Sequence, residues 1–369
     1  HEDQGRGAHC EEGYEGLFID ENPSDRFLDV GGPSRPFRSI WLRLRTVFTT
    51  ITWDLWLCFP DRLRSTVYLR LAEWYGVGRW NIDHLPFGLI LKHTHERPPT
   101  LETSNISFVW KNTSIPVPEV LDTIPPRPGH DRGGLIIMKS IGGITLQEWL
   151  SPQVTFPPEL HHHLDLLVNG DGTRIDELRT ILQGFEPTVD LSDSSELISD
   201  LRRALLELRA ISPPPSGQVS GANGAPFITL RFSDRDILQP FENMGAFHET
   251  LLQLCVIRSR MPRLRKVAKP VYARNHRLCF SHLYLSTGNI LVKDGRLAGI
   301  VDWETAGWFP EYCEYTMLRI RNISHVKGLR IFWDAVGAFD HEQYRDELYL
   351  EKSTVSLHWR HGFGSWYNT

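Results

Sequence analysis

Two side chains with hard oxygen donors, Asn289 and Asp302, stand thirteen positions apart in the segment CFSHLYLSTGNILVKDGRLAGIVDWETAGWFPEYCEY. Between them the runs ILVK and RLAGIVDW flank Asp294-Gly295, a pair suited to a two-residue hairpin turn because both central residues there take positive φ. Such a hairpin brings the Asn289 amide and the Asp302 carboxylate to one end of two paired strands. Mg2+ takes ligands of this kind, one or two carboxylates completed by phosphate oxygens and water. His282 opens the loop that leads to Asn289, and Tyr284 follows it. The expected role of His282 is hydrogen-bonded support of that loop rather than general base catalysis.

Other groups of chemical interest carry less. Glu304, Glu311 and Glu314 follow Asp302; they either line a site for a cationic substrate or serve the fold. The run His161-His162-His163 resembles a metal tract, but no second cluster has ligand spacing, so a surface loop is expected. Trp303, Trp308, Phe309 and Tyr312 are expected to pack in the core rather than to stack on a ligand.

The elements that must position these residues follow from pattern. Residues 1–36 are rich in Gly, Glu, Asp and Pro without an apolar period and read as a disordered tail. From 37 to 75 the apolar residues recur at helical spacing, and Pro60 divides the run into two helices at FPDR. LPFGLILK, ending at Lys92, reads as a buried strand; Glu102 to Trp110 as a helix; and LIIM, 135–138, as another strand. The clearest helix runs from Asp193 to Ile211, with Leu197, Leu201, Leu205 and Leu208 on one stripe, Asp193 as its cap and Glu196 three residues on. Residues 76–138 thus form a strand-rich lobe, and residues 139–369 a mostly helical lobe that holds the hairpin. Ligands favour the cleft between such lobes.

Composition narrows the classes. Over 369 residues the chain is 41% hydrophobic and 23% charged, with a net charge of −5. That is a globular composition with no electrostatic footprint for nucleic acid or an anionic membrane. The most apolar stretch, VFTTITWDLWLCF, is too short to span a bilayer and contains Asp54. Five scattered cysteines include no C-x-x-C pair, which argues against a disulfide framework or a zinc site and for a reduced, cytoplasmic chain.

The central segment can be compared with the kinase catalytic loop H-R-D-L-x-x-x-N and its metal-binding Asp. His282, Leu285 and Asn289 fall on the pattern's His, Leu and Asn, and Asp302 begins Asp-Trp-Glu where a kinase has Asp-Phe-Gly. On these residues the chain resembles the aminoglycoside phosphotransferase family of the protein-kinase-like superfamily, and in particular its fungal group. The similarity extends through LPFGLILK, NTSIPVPEV, LIIMKSIGGITLQEW and PFENMGAFHETLL.

The resemblance implies an α+β, bilobal protein-kinase-like fold and ATP-dependent phosphorylation of a small-molecule hydroxyl with Mg2+. It implies that Lys92 meets the nucleotide phosphates with Glu102 as its ion-pair partner, and that Asn289 and Asp302 hold the metal. The adenine would lie against the backbone from Met138 to Ile141, and Gly76 or Gly78 would belong to the loop over the phosphates. The family's catalytic Asp falls on Tyr284. A phenol stays protonated at neutral pH and is bulkier than a carboxylate, so it does not replace a general base. The nearest carboxylate in sequence is Asp294, in the hairpin turn. Two functions therefore remain open: a phosphotransferase with an impaired catalytic step, or a nucleotide-binding pseudokinase that acts as a binding or scaffold module.

Overall fold

The computed structural model describes residues 53–79, 81–95, 97–126, 133–155, 188–232, 236–255, 258–322 and 327–362. The expected tail at 1–36 and the histidine run at 161–163 lie outside these residues. The chain divides into a unit ending at Phe59 and a second unit from Pro60 onward. In the first, residues 53–57 are helical and the Trp56 and Phe59 rings lie 5.7 Å apart. Everything below concerns the second.

Its first helix, α1 (Asp61–Tyr75), leads into a five-stranded antiparallel sheet. The strands are β1 (Val77–Arg79), β2 (Ile82–Leu85), β3 (Leu89–His93), β4 (Val120–Ile124) and β5 (Leu135–Lys139), in the order β1-β2-β3-β5-β4. Helix α2 (Pro99–Asn112) lies between β3 and β4 in sequence. It begins three residues before the expected Glu102 because Pro99 occupies its first turn, where a missing N–H costs nothing. The strand expected to end at Lys92 is β3, in which Lys92 pairs with Ile82 on one side and Ile136 on the other. Gly76 ends α1, donating its N–H to the Ala72 carbonyl, so it is not part of the β1–β2 turn. Gly78 pairs with Asp83 inside β1. Tyr68 of α1 donates to Asp122 of β4 at 2.8 Å, and Arg64 pairs with the same carboxylate, which ties the helix to the sheet edge.

The remaining strands are short. They are β6 (Ile144–Thr145), β7 (Val154–Thr155), β8 (Thr188–Val189), β9 (Leu278–Ser281), β10 (Ile290–Lys293), β11 (Arg296–Ile300) and β12 (Gly307–Pro310). The helices of this part are α3 (Leu146–Leu150), α4 (Ser195–Ala210), α5 (Met244–Gln253), α6 (Met261–Tyr272), α7 (Cys313–Met317), α8 (Lys327–Val336) and α9 (Arg345–Gly362). Strands β10 and β11 form the expected hairpin, with Asp294 at φ 50° and Gly295 at φ 71°, and β6 pairs with the outer side of β10. Strand β9 pairs with β12.

Helix α4 matches its predicted stripe, since Leu197, Leu201, Leu205 and Leu208 are all buried. Each such side chain contributes roughly 1.5–3 kcal/mol relative to exposure. Its cap differs from expectation. Residues 192–194 form a 3-10 turn, Ser194 is the N-cap, and no side chain caps the helix, Asp193 included. The Ser194 hydroxyl instead donates to Gln153 and accepts from the Trp149 indole, because two neighbouring elements compete for it. On the buried face of α4, Asp200 accepts both guanidinium N–H groups of Arg296 at 2.7 and 2.9 Å, which fixes the start of β11. Among the described residues no helix is long and apolar enough to cross a membrane, and Cys58, Cys279 and Cys313 are free thiols.

Candidate active site

Pairing β9 with β12 and β10 with β11 forces two connections to the same place. The loop 282–289 leaves β9 and enters β10; the loop 301–306 leaves β11 and enters β12. Four hydrogen bonds join them. Val301 N–H donates to the Asn289 carbonyl at 2.9 Å, and the Thr305 hydroxyl to the His282 carbonyl at 2.9 Å. The His282 ring contacts the Val301 carbonyl at 3.0 Å through Nε2, and Asn289 Nδ2 lies 3.4 Å from Asp302 Oδ2.

His282 is completely buried and accepts the Tyr284 N–H on Nδ1 at 3.1 Å. Its other nitrogen meets a carbonyl, so Nε2 carries the proton and the ring is neutral. Burial pushes its pKa down to about 4, against the pull of Asp302 and of the Val301 carbonyl. The next residue, Leu283, takes φ 62°, a conformation unfavourable for a side chain of its kind. Glu314 holds it there: one carboxylate accepts the N–H of His282 at 2.6 Å and of Leu283 at 3.0 Å. Burial raises the Glu314 pKa to about 7 despite those bonds.

Asn289 donates to the Tyr284 carbonyl at 2.8 Å and so closes the loop on itself. Tyr284 is half-buried, whereas Leu283 and Leu285 on either side are in the core. The carboxylate nearest in sequence, Asp294, sits exposed in the turn at the other end of the hairpin.

Asp302 also has positive φ, 66°. Its Oδ1 accepts from Lys92 Nζ at 2.6 Å, and the same ammonium lies 2.7 Å from Glu102 Oε2. Residues from β3, α2 and the β11–β12 loop thus converge on one buried lysine. Burial by itself would lower the Lys92 pKa, but attraction to Asp302, Glu102 and Glu304 outweighs it and raises the value. For Asp302, burial is outweighed by Lys92 and the carboxyl titrates below its ordinary range. Glu102 goes the other way, pushed up to about 7 by burial, with Lys92 opposing. The carboxylates of Glu102, Asp302 and Glu304 offer ligand atoms within 4.8 Å of one another. Arg97 pairs with Glu304 from the other side.

Two positioning groups gave no sign in the sequence. Buried Asn105 of α2 donates to the carbonyls of Trp303 at 2.8 Å and Ala306 at 3.0 Å, so the helix that carries Glu102 is bolted to the loop that carries Asp302. Arg97, ahead of α2, holds Glu304. Neither belongs to a local pattern, since their partners lie about 200 residues away.

The acidic residues read as possible lining for a cationic substrate divide. Glu311 is engaged by Arg277 at 3.3 Å and Arg209 at 3.7 Å, and Glu314 by backbone N–H groups; both are buried. Each satisfies internal donors of the fold. Trp303, Trp308, Phe309 and Tyr312 are buried in the core, as expected. At the strand-to-linker segment Met138 is also a core side chain, while the N–H groups of Lys139 and Ser140 donate to the Glu119 and Gly88 carbonyls. Ile141 packs on Gly299 of β11, where a Cβ would come within 2.6 Å of its Cδ1.

A small antiparallel sheet with one helix precedes a mostly helical part that holds the β10–β11 hairpin, an α+β architecture. The model of the phosphotransferase enzyme family matches residues 106–346, and the chain belongs to that family. Lys92 and Glu102 precede the matched region, and geometry alone joins them to it. Among solved structures, the chain is similar to aminoglycoside phosphotransferase APH(4)-Ia at 13% identity, over 80% of this chain and 90% of that one, with a TM-score of 0.45. It is similar to macrolide 2'-phosphotransferase MphH from Brachybacterium faecium at 12%, over 79% and 88%, with a TM-score of 0.41. A choline/ethanolamine kinase family protein from Mesorhizobium loti matches at 15%, over 80% and 83%, with a TM-score of 0.41. A comparison with curated proteins finds no match.

Proposed function

We propose that the chain binds Mg-ATP in the cleft between an N-lobe, 76–138, and a C-lobe, 139–369, and that transfer to a free small-molecule hydroxyl is impaired at Tyr284. Lys92 serves as the cation for the nucleotide phosphates and Glu102 as the residue that aims it. Asn289 and Asp302 serve as metal ligands, His282 supports the loop between β9 and β10, and the adenine rests on the segment from Met138 to Ile141. The partners are a nucleotide and an unspecified hydroxyl acceptor rather than nucleic acid or a membrane, and the setting is the reduced cytoplasm.

The observation that carries this reading is the lysine bridging Glu102 and Asp302, with Asn289 against the same aspartate. The donor set fits a hard divalent cation: three carboxylates converge where Lys92 and Arg97 supply only two positive charges. When bound, the ion supplies neutralisation of phosphate charge. Phosphoryl transfer is mostly positioning and electrostatics, which is what this lysine and these carboxylates are placed to provide. At the position of the general base, Tyr284 offers a phenol, which orients no attacking hydroxyl by accepting its proton. This one residue favours the second reading, a nucleotide-binding module without transfer to an external acceptor.

Mg-ATP at ~100 times its dissociation constant stabilises a binding-competent fold by about 2.7 kcal/mol. A thermal shift in wild type that is lost in Asp302→Asn supports the site; no shift, or equal shifts, removes it. Tyr284→Asp restores a carboxylate five positions before Asn289, and base assistance contributes ~10²- to 10⁴-fold. Brisk wild-type transfer to an external hydroxyl, with no gain in Tyr284→Asp, refutes the impairment.

A further inference from the structure

A second concentration of charge lies on α6, none of whose residues belongs to the site described above. We propose that the exposed face of α6 docks an acidic segment of a partner protein; this does not rest on the nucleotide site.

Between Glu249 and Asp294 the sequence has no Asp or Glu, and it places eight Lys and Arg from Arg258 to Arg277, in a chain whose net charge is −5. The fold divides these cations. Arg265 pairs with Glu249, Arg274 with Asp346 and Glu347, and Arg277 with Glu311. Arg260, the N-cap of α6, and Arg263, Lys266 and Lys269 within it are exposed, and no carboxylate among the described residues pairs with any of the four. Spaced by three, they step along the helix at intervals of ~4.5 Å, and Arg263, Lys266 and Lys269 sweep about 120° of its circumference. That arc is opposite to Leu264, Ala268 and Val271, which are buried with Leu252 of α5 and Leu350 of α9.

Nothing in the helix itself calls for this arrangement. Residues three apart on a helix are neighbours, so each cation repels the next. Arg260 and Arg263 stand at the N-terminal end, where the helix dipole disfavours positive charge, and the first turn holds no acid to offset them. The stripe works against α6 in the isolated chain and is relieved by carboxylates brought from outside. An anionic membrane is a poorer match, because an interfacial helix inserts its apolar face. Here that face is committed to the core, and Val267 is left at 39% exposure. A nucleic acid is poorer too. Tyr272, the aromatic residue of α6, is stacked on His248 rather than offered to a base. A long polyanion also meets the net negative remainder of the chain, whereas a short acidic segment fits a stripe of ~14 Å. Residues 273–277 join α6 to β9, the strand that leads into the His282 loop. Such a surface is what a binding module requires.

The test uses the full chain and a fluorescein-labelled peptide of twelve glutamates, with binding read by anisotropy. The expected result is binding at ~50 mM salt that weakens at ~300 mM, as screened pairs do. Combining Arg263→Gln, Lys266→Gln and Lys269→Gln should weaken it at least ~10-fold, which is ~1.4 kcal/mol. Each single Gln variant should lose about twofold, a readout that remains if the triple variant does not fold. Combining Lys111→Gln, Arg202→Gln and Lys293→Gln, exposed cations on other elements, removes the same charge and should leave the affinity unchanged. No binding by wild type, equal losses in the two triple variants, or tighter binding to phosphatidylserine vesicles or a short DNA duplex at the same salt overturns the proposal.

Discussion

Glu314 is a carboxylate whose protonation the fold itself favours, and replacing it by Gln gives a change in pH dependence that can be worked out. The group is buried and accepts backbone N–H bonds from His282 and Leu283. Burial lifts its pKa from 4.5 to about 7. Because the folded state holds this proton more tightly than the unfolded chain, the contribution is fully present below pH 4.5 and is lost as pH rises through about 7. At 1.36 kcal/mol per unit, the loss between pH 5 and pH 8 amounts to about 2 to 3 kcal/mol. His282 and His248, both pushed down to about 4 mainly by burial, act oppositely: their contribution is present above 6.5 and is lost as pH falls toward 4. Those terms are common to wild type and Glu314→Gln and cancel in the difference. Urea unfolding of both proteins across this range should therefore show the wild-type advantage shrinking by that amount as pH rises. A difference that stays flat, or that grows with pH, refutes the assignment of a raised pKa to Glu314.

Asn105→Ala removes the donor for two buried carbonyls and the acceptor for the Ala222 N–H. It should cost about 2 to 3 kcal/mol in denaturant unfolding and weaken the Mg-ATP thermal shift; a loss under about 0.5 kcal/mol would show that α2 is not bolted to the Asp302 loop through this residue. Arg231 is fully buried, 3.0 Å from Glu351 of α9, and also donates to Cys313 and Thr316. Arg231→Met should destabilise by about 3 to 5 kcal/mol by stranding the Glu351 charge, and adding Glu351→Met should recover most of it. Equal stabilities of the single and double variants would argue against an uncompensated charge.

Local pattern carried the hairpin, because alternation and an Asp-Gly turn are properties of neighbours: β10, β11 and the positive φ of Asp294 and Gly295 follow from a dozen consecutive residues. The strand ending near Lys92, the leucine stripe of α4 and the core placement of Trp303 and Trp308 were open to the same kind of reasoning. The helix ends were less so. Pro99 extends α2 backwards at no cost, and the Ser194 hydroxyl is claimed by Gln153 and Trp149, partners from another segment.

The order of residues alone determined which groups could do chemistry: a lysine, a glutamate, an asparagine and an aspartate in sequence, with a tyrosine where the pattern calls for a carboxylate. Only the tertiary structure decided that Lys92 lies between Glu102 and Asp302, that Asn105 ties their elements together, and that Glu314 serves the loop backbone rather than a substrate. The physical reason is distance along the chain. A turn or a stripe is written in residues that touch because they are adjacent, whereas Lys92 meets Asp302 across 210 positions only after two strand pairs and a helix have been packed.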